Sequence, residues 1–187
     1  MLRNALLIVS VLFCAATASA GEFDLSLNDY SVQAEVRQAV SEDEYGSSEV
    51  SGRVLYNSRD DTRLASVGLD VFGKIGEIEG FVIGVGGKVY GANANDSDVL
   101  SFALGTLLRF APRAFQGFGV RAGIYYSPNV LSGLDAERLV ETWVAVDYEI
   151  IPRAKVFLSY NKIRVNIENK GNWNADESIR GGVALGF

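Results

Sequence analysis

Residues 117–127 read Gly-Phe-Gly-Val-Arg-Ala-Gly-Ile-Tyr-Tyr-Ser. Phe118, Val120, Ala122, Ile124 and Tyr126 share one phase of a two-residue period, and Gly119, Arg121, Gly123 and Tyr125 share the other. A strand sends alternate side chains to opposite faces, so this stretch has one apolar face and one that mixes glycine with charge. The pattern recurs on both sides of it. In 97–110, Leu100, Phe102, Leu104, Thr106, Leu108 and Phe110 oppose Ser101, Ala103, Gly105, Leu107 and Arg109. In 79–91, Phe81, Ile83, Val85 and Val89 oppose Gly84, Gly86, Lys88 and Tyr90. In 136–150, Val140, Val144, Val146, Tyr148 and Ile150 oppose Glu141, Trp143, Asp147 and Glu149, and the chain closes with Ile179, Val183, Leu185 and Phe187 against Arg180 and Ala184.

Adding weaker segments between clusters of turn-forming residues places strands near 23–28, 32–40, 50–57, 63–73, 79–91, 97–110, 117–127, 136–150, 153–168 and 176–187. The fold class expected is all-β: a small antiparallel up-and-down transmembrane β-barrel of ten strands. The first segment is shorter than the ~9–11 residues of a spanning strand, so eight full strands with a short hairpin is the alternative. In 153–168 the apolar set moves from Val156, Leu158 and Tyr160 to Ile163, Val165 and Ile167. Either a bulge near Asn161 or exit from the membrane band would produce this shift.

Ahead of the strands, Arg3 precedes an apolar run from Ala5 to Phe13 and small residues up to Ala20. This reads as a secretory signal peptide over 1–20, leaving a barrel domain over 21–187. The apolar run is too short for a spanning helix. The single cysteine, Cys14, would leave with the signal, so neither a disulfide framework nor a thiolate metal site is expected in the mature chain. Removing 1–20 deletes Arg3 and no acid, which takes the formal charge from −6 to −7. An acidic exported chain has no electrostatic footprint for nucleic acid.

Threading the strands up and down from a periplasmic N-terminus puts Phe23, Phe81, Phe110, Phe118, Tyr148 and Phe187 at one rim of the apolar face, an aromatic girdle of the kind found at membrane interfaces. The opposite rim carries Tyr56 and Tyr126. The other face collects Glu35, Arg37, Arg53, Asp70, Lys88, Arg109, Arg121, Glu141, Asp147 and Arg180, with glycines 84, 86, 105, 119, 123, 182 and 186 in the same phase. Paired charges interleaved with glycine suit a crowded lumen, since a small barrel must fill its interior with side chains. A soluble lipocalin-like periplasmic carrier, with these charges outside, is the inverted alternative.

Catalytic and cofactor chemistry finds little support. The chain has no histidine, which removes Ser-His and Cys-His nucleophiles and the commonest zinc ligand. Glu141 and Asp147 could act as an acid–base pair but equally suit ion pairs with lumen arginines. Residues 84–89, Gly-Val-Gly-Gly-Lys-Val, miss the last glycine of a dinucleotide fingerprint. The loop Asn93-Ala94-Asn95-Asp96-Ser97-Asp98 lacks the spaced glycine and final glutamate of a calcium loop. No catalytic residue, metal site or cofactor is expected.

The blocks Gly86-Gly87-Lys88-Val89-Tyr90, followed by Asn95-Asp96-Ser97-Asp98, and Tyr125-Tyr126-Ser127-Pro128-Asn129-Val130-Leu131, leading to Asp135-Ala136-Glu137-Arg138, resemble the YfaZ family of predicted outer-membrane proteins. The resemblance implies a signal-bearing barrel in the outer membrane and brings no enzymatic activity with it. Phe187, ending an alternating strand, resembles the terminal aromatic signature of proteins inserted by the barrel assembly machinery. That machinery and outer-membrane lipid are the expected partners. The leading expectation is a non-enzymatic structural or interaction protein with a closed charged lumen. A narrow porin-like channel lined by Arg53, Lys88, Arg109 and Arg121 is the alternative. Loops 91–97, 128–135 and 169–175 would face outward and carry any contact with a partner.

Overall fold

The computed structural model describes residues 20–76, 78–94, 97–167 and 171–187. Residues 1–19 of the expected signal segment 1–20, Cys14 among them, residue 168 at the end of an expected strand, and residues 95, 96, 169 and 170 of the expected loops lie outside the described residues. Among the described residues eleven strands run β1 (Gly21–Leu27), β2 (Ser31–Glu42), β3 (Gly46–Asn57), β4 (Thr62–Lys74), β5 (Phe81–Ala94), β6 (Ser97–Phe110), β7 (Phe118–Ser127), β8 (Ser132–Leu134), β9 (Ala136–Ile151), β10 (Ala154–Ile167) and β11 (Gly171–Gly186). Each pairs antiparallel with its neighbour, β5 pairs with both β4 and β6, and β1 pairs with both β2 and β11, so the sheet closes on itself.

The barrel has ten strands, because β8 continues the lane of β7 along β6 instead of adding a new one: Leu104 faces Tyr126, and further up Ser101 faces Ser132. The eight-strand alternative fails on β1, which is short but pairs on both edges and is needed for closure. Closure leaves no long free edge for another chain to extend.

Outward positions are apolar around the wall. Val54, Val67, Leu69, Val71, Val85, Leu104, Ile124, Val146, Leu158, Ile179 and Val183 are all exposed, and the inward partners of their strands are buried. A soluble carrier would turn this set inside, so the inverted arrangement is the one bilayer lipid stabilises. At the end that holds both termini, taken as periplasmic, Phe81 and Phe110 are direct strand partners with ring centroids 6.0 Å apart, edge to face. Phe118 and Tyr148 are likewise partners, 4.6 Å apart. Phe23 and Phe187 sit at the same end on β1 and just beyond β11. Tyr160 joins Tyr56 and Tyr126 among the outward tyrosines nearer the other end.

Toward the extracellular end the interior gains an aliphatic cluster beside buried polar residues that include Asn57, Ser101, Asp176 and Arg180. Leu55, Leu64, Tyr90, Ala92, Val99, Ala103, Leu139, Ile163, Val165, Ile167 and Ala175 form one buried cluster, with Trp173 packed against it. This explains the phase shift in β10. Ser159, Asn161, Ile163, Val165 and Ile167 are all buried, and the pairing with β9 is regular from Lys155 to Asn166, so β10 carries no bulge at Asn161. Instead the strand leaves the membrane band: outward positions become Lys162, Arg164 and Asn166 while inward ones become aliphatic. The irregularity nearest Asn161 falls on β11, where Ile163 pairs with Asp176 and Arg164 with Asn174, leaving Ala175 as the extra residue. The same inversion hid the start of β11, expected near 176 and found at Gly171, because Asn172 and Asn174 face water above the bilayer.

Candidate functional site in the barrel lumen

All ten charged residues singled out in the sequence point inward, but they gather in separate groups. Nearest the periplasm, Arg37 bonds Glu22 and reaches Asp24 at 2.5 Å, and its other nitrogen lies 4.0 Å from Glu35. Arg121 donates to Asp147 at 3.0 Å and stands 3.7 Å from both Glu22 and Asp24. Lys155 completes the group at 3.0 Å from Glu22. Arg109, the cross-strand partner of Arg121, forms a two-pronged pair with Glu49, at 2.6 and 2.7 Å, with its guanidinium 3.9 Å from the centre of the Phe72 ring.

At mid-height Arg53 clasps Glu141 through both carboxylate oxygens, the second at 3.2 Å, and Tyr90 donates its hydroxyl to the same carboxylate. Lys88 lies 3.9 Å from Glu141 and over the face of Tyr125, 4.3 Å from its centre. Tyr125 in turn donates to Asp70 at 2.5 Å. Arg53, Lys88 and Glu141 are 5 %, 5 % and 0 % exposed, so these charges have one another and no bulk water. Arg180 stands apart, bonded to Asp176 at 2.9 Å, Gln33 at 3.0 Å and Ser31 at 3.3 Å. Asn57 also donates to Asp176, at 3.0 Å. In the turn above, burial pushes the Asp60 carboxyl upward against the pull of Arg59 and the Asn57 hydrogen bond.

Sequence reading named both members of the Arg53–Glu141 and Arg121–Asp147 pairs but missed Glu22, Asp24, Glu49, Lys155 and Asp176, which complete the others. It placed Tyr90, Tyr125 and Trp143 on the inward face but missed Phe72 and Phe157, and it missed how the lumen aromatics are seated. Four of them lie directly across from glycine: Phe72 from Gly84, Tyr125 from Gly105, Trp143 from Gly123 and Phe157 from Gly182. A Cβ on Gly84 would come 2.7 Å from the Phe72 ring, and one on Gly123 would come 2.7 Å from Trp143. Each glycine therefore lets a ring lie flat across its strand, the device by which sheets accommodate large side chains beside glycine. Matching glycines to inward aromatics by register is the signal that would have found them.

The space left is uneven. A vestibule of about 350 Å³ opens at the periplasmic end, lined by Glu22, Arg37, Glu49, Arg109, Arg121 and Asp147 among others. Above it only about 50 Å³ remains between Glu35, Arg53, Asp70, Lys88 and their neighbours. Beyond that lies the aliphatic cluster. Among the described residues no group of acidic, cysteine or histidine side chains is placed to hold a metal.

Closed antiparallel topology, an apolar outer wall and a polar lower lumen define an integral outer-membrane β-barrel. The chain belongs to the YfaZ family: the family model described as "YfaZ precursor" matches residues 2–187. No curated protein matches its sequence. Among solved structures it is similar to the KdgM porin in complex with disordered oligogalacturonate, at 9 % identity and a TM-score of 0.50 over 90 % of this chain and 99 % of that one. It is also similar to the outer-membrane channel DcaP of Acinetobacter baumannii, at 10 % identity and a TM-score of 0.46 over 92 % of this chain and 60 % of that one. At such identities the likeness is one of fold.

Proposed function

We propose that this protein is a non-enzymatic outer-membrane barrel that does not conduct and acts as a structural or interaction element. The observation that carries the reading is the buried aliphatic cluster across the extracellular half of the lumen, with Leu139, Ile163 and Val165 each at 0 % exposure. Ions crossing such a layer would shed most of their hydration, because the polar side chains beside it are already committed: Asp176, next to Ile163, is held by Arg180 and Asn57. The cations that would line a pore are committed elsewhere: Arg53 to Glu141, Arg109 to Glu49 and Arg121 to Asp147. Insertion would proceed through the barrel assembly machinery, with Phe187 at the end of the last strand as the recognised residue. Any contact with a partner would use the extracellular turns, above all 128–135, where Val130 is 87 % exposed.

Liposome swelling tests the reading. Vesicles carrying the refolded barrel should swell in small sugars no faster than protein-free vesicles. Swelling at a rate that scales with protein content would favour a porin-like channel instead.

A further inference from the structure

Cross-strand register puts Ala34, Val54, Ala65 and Gly91 in one outward row over β2, β3, β4 and β5, with Val32, Tyr56, Arg63 and Asn93 in the row above. Three small residues leave a recess in an otherwise bulky wall. It measures about 620 Å³ and is lined by these residues, with almost no polar surface. No atom lies within 4 Å of where a Cβ on Gly91 would stand, so the space opens outward. The recess lies in the extracellular half of the wall, and its upper rim is amphipathic. Arg63 is exposed and has no ion-pair partner among the described residues. Asp60, the nearest inward carboxylate of the same hairpin, accepts from Asn57 at 3.1 Å.

We infer that this recess holds an acyl chain of a phosphate-bearing glycolipid of the outer leaflet, with Arg63 pairing to the phosphate. The complementarity is twofold. A guanidinium at the headgroup level suits phosphate geometry, and the apolar hollow directly below it accepts the attached chain. Neither half depends on whether the lumen conducts. Arg63 faces the lipid side and takes no part in the lumen pairs, so a failure here would leave the closed-lumen reading untouched.

Native mass spectrometry of the full barrel, eluted from detergent supplemented with diphosphorylated lipid A, tests the assignment. The comparison lipids are a phosphate-free glycolipid of equal chain content and phosphatidylglycerol. The wild-type barrel should retain one lipid A and little of either comparison lipid. R63Q should weaken retention about tenfold by removing the charged contact, and G91L, whose Cβ would have no protein atom within 4 Å and whose side chain would occupy the hollow, should do the same. Unboiled gel mobility confirms that both variants fold. Equal retention of all three lipids, retention unchanged in both folded variants, or a dimer bound through position 91 in place of lipid would each overturn the inference.

Discussion

Glu141→Gln would keep the shape of a side chain at the centre of the lumen and remove its charge. Glu141 is fully buried, holds Arg53 by two contacts, accepts from Tyr90 and lies 3.9 Å from Lys88. Without the carboxylate, two cations, each 5 % exposed, lose the partner they share, and Glu35 and Asp70 are the remaining carboxylates that act on them. Breaking a buried pair from one side costs about 3–5 kcal/mol. Against the roughly 5–15 kcal/mol that holds a typical domain together, this is a large loss. Urea unfolding of the barrel refolded in vesicles, followed by tryptophan fluorescence and by unboiled gel mobility, measures it. The variant with Arg53→Met, Lys88→Met and Glu141→Leu together should recover most of the stability, because an apolar replacement leaves no orphaned charge. A loss below about 1 kcal/mol for Glu141→Gln, the value of a solvent-exposed pair, would refute the reasoning and mean that water reaches mid-lumen.

Three further outcomes are expected. Gly105→Ala would bring a Cβ within 2.6 Å of both the Ile124 carbonyl oxygen and the Tyr125 ring, so it should destabilise by about 1–3 kcal/mol and slow refolding, seen as delayed gain of the folded gel band. Val85→Arg, on the outward face, should cost about 2–4 kcal/mol in vesicle refolding if it sits near the bilayer midplane, whereas a protein with a solvated exterior would tolerate it. Phe118→Ala should cost about 0.5–1.5 kcal/mol beyond its lost area by separating it from Tyr148, measured by a double-mutant cycle with Tyr148→Ala.

The wall of this barrel was legible in the sequence because a two-residue period is local: each strand states its own two faces. All ten barrel strands are readable that way, as are the inward charges and the aromatic rim. Pairing across the lumen is not local. Arg53 and Glu141 stand 88 residues apart and meet only because closure and strand stagger bring β3 opposite β9. The same holds for Tyr125 with Asp70 and for Asn57 with Asp176. The aliphatic seal was hidden for a different reason. In the membrane band the inside is polar and the outside apolar, but above it the rule reverses, so Ile163, Val165 and Ile167 looked like a change of phase when only the solvent had changed. Asn172 and Asn174 looked like loop on the same account, though they continue a strand.

The closed lumen is tested most directly by single-channel recording in planar bilayers, with wild type measured beside a Leu139→Ser, Ile163→Ser double variant that admits water to the seal. The account predicts a silent wild type and discrete conductance steps from the folded variant. Stable steps from the wild-type barrel, at a size the variant does not change, would contradict it.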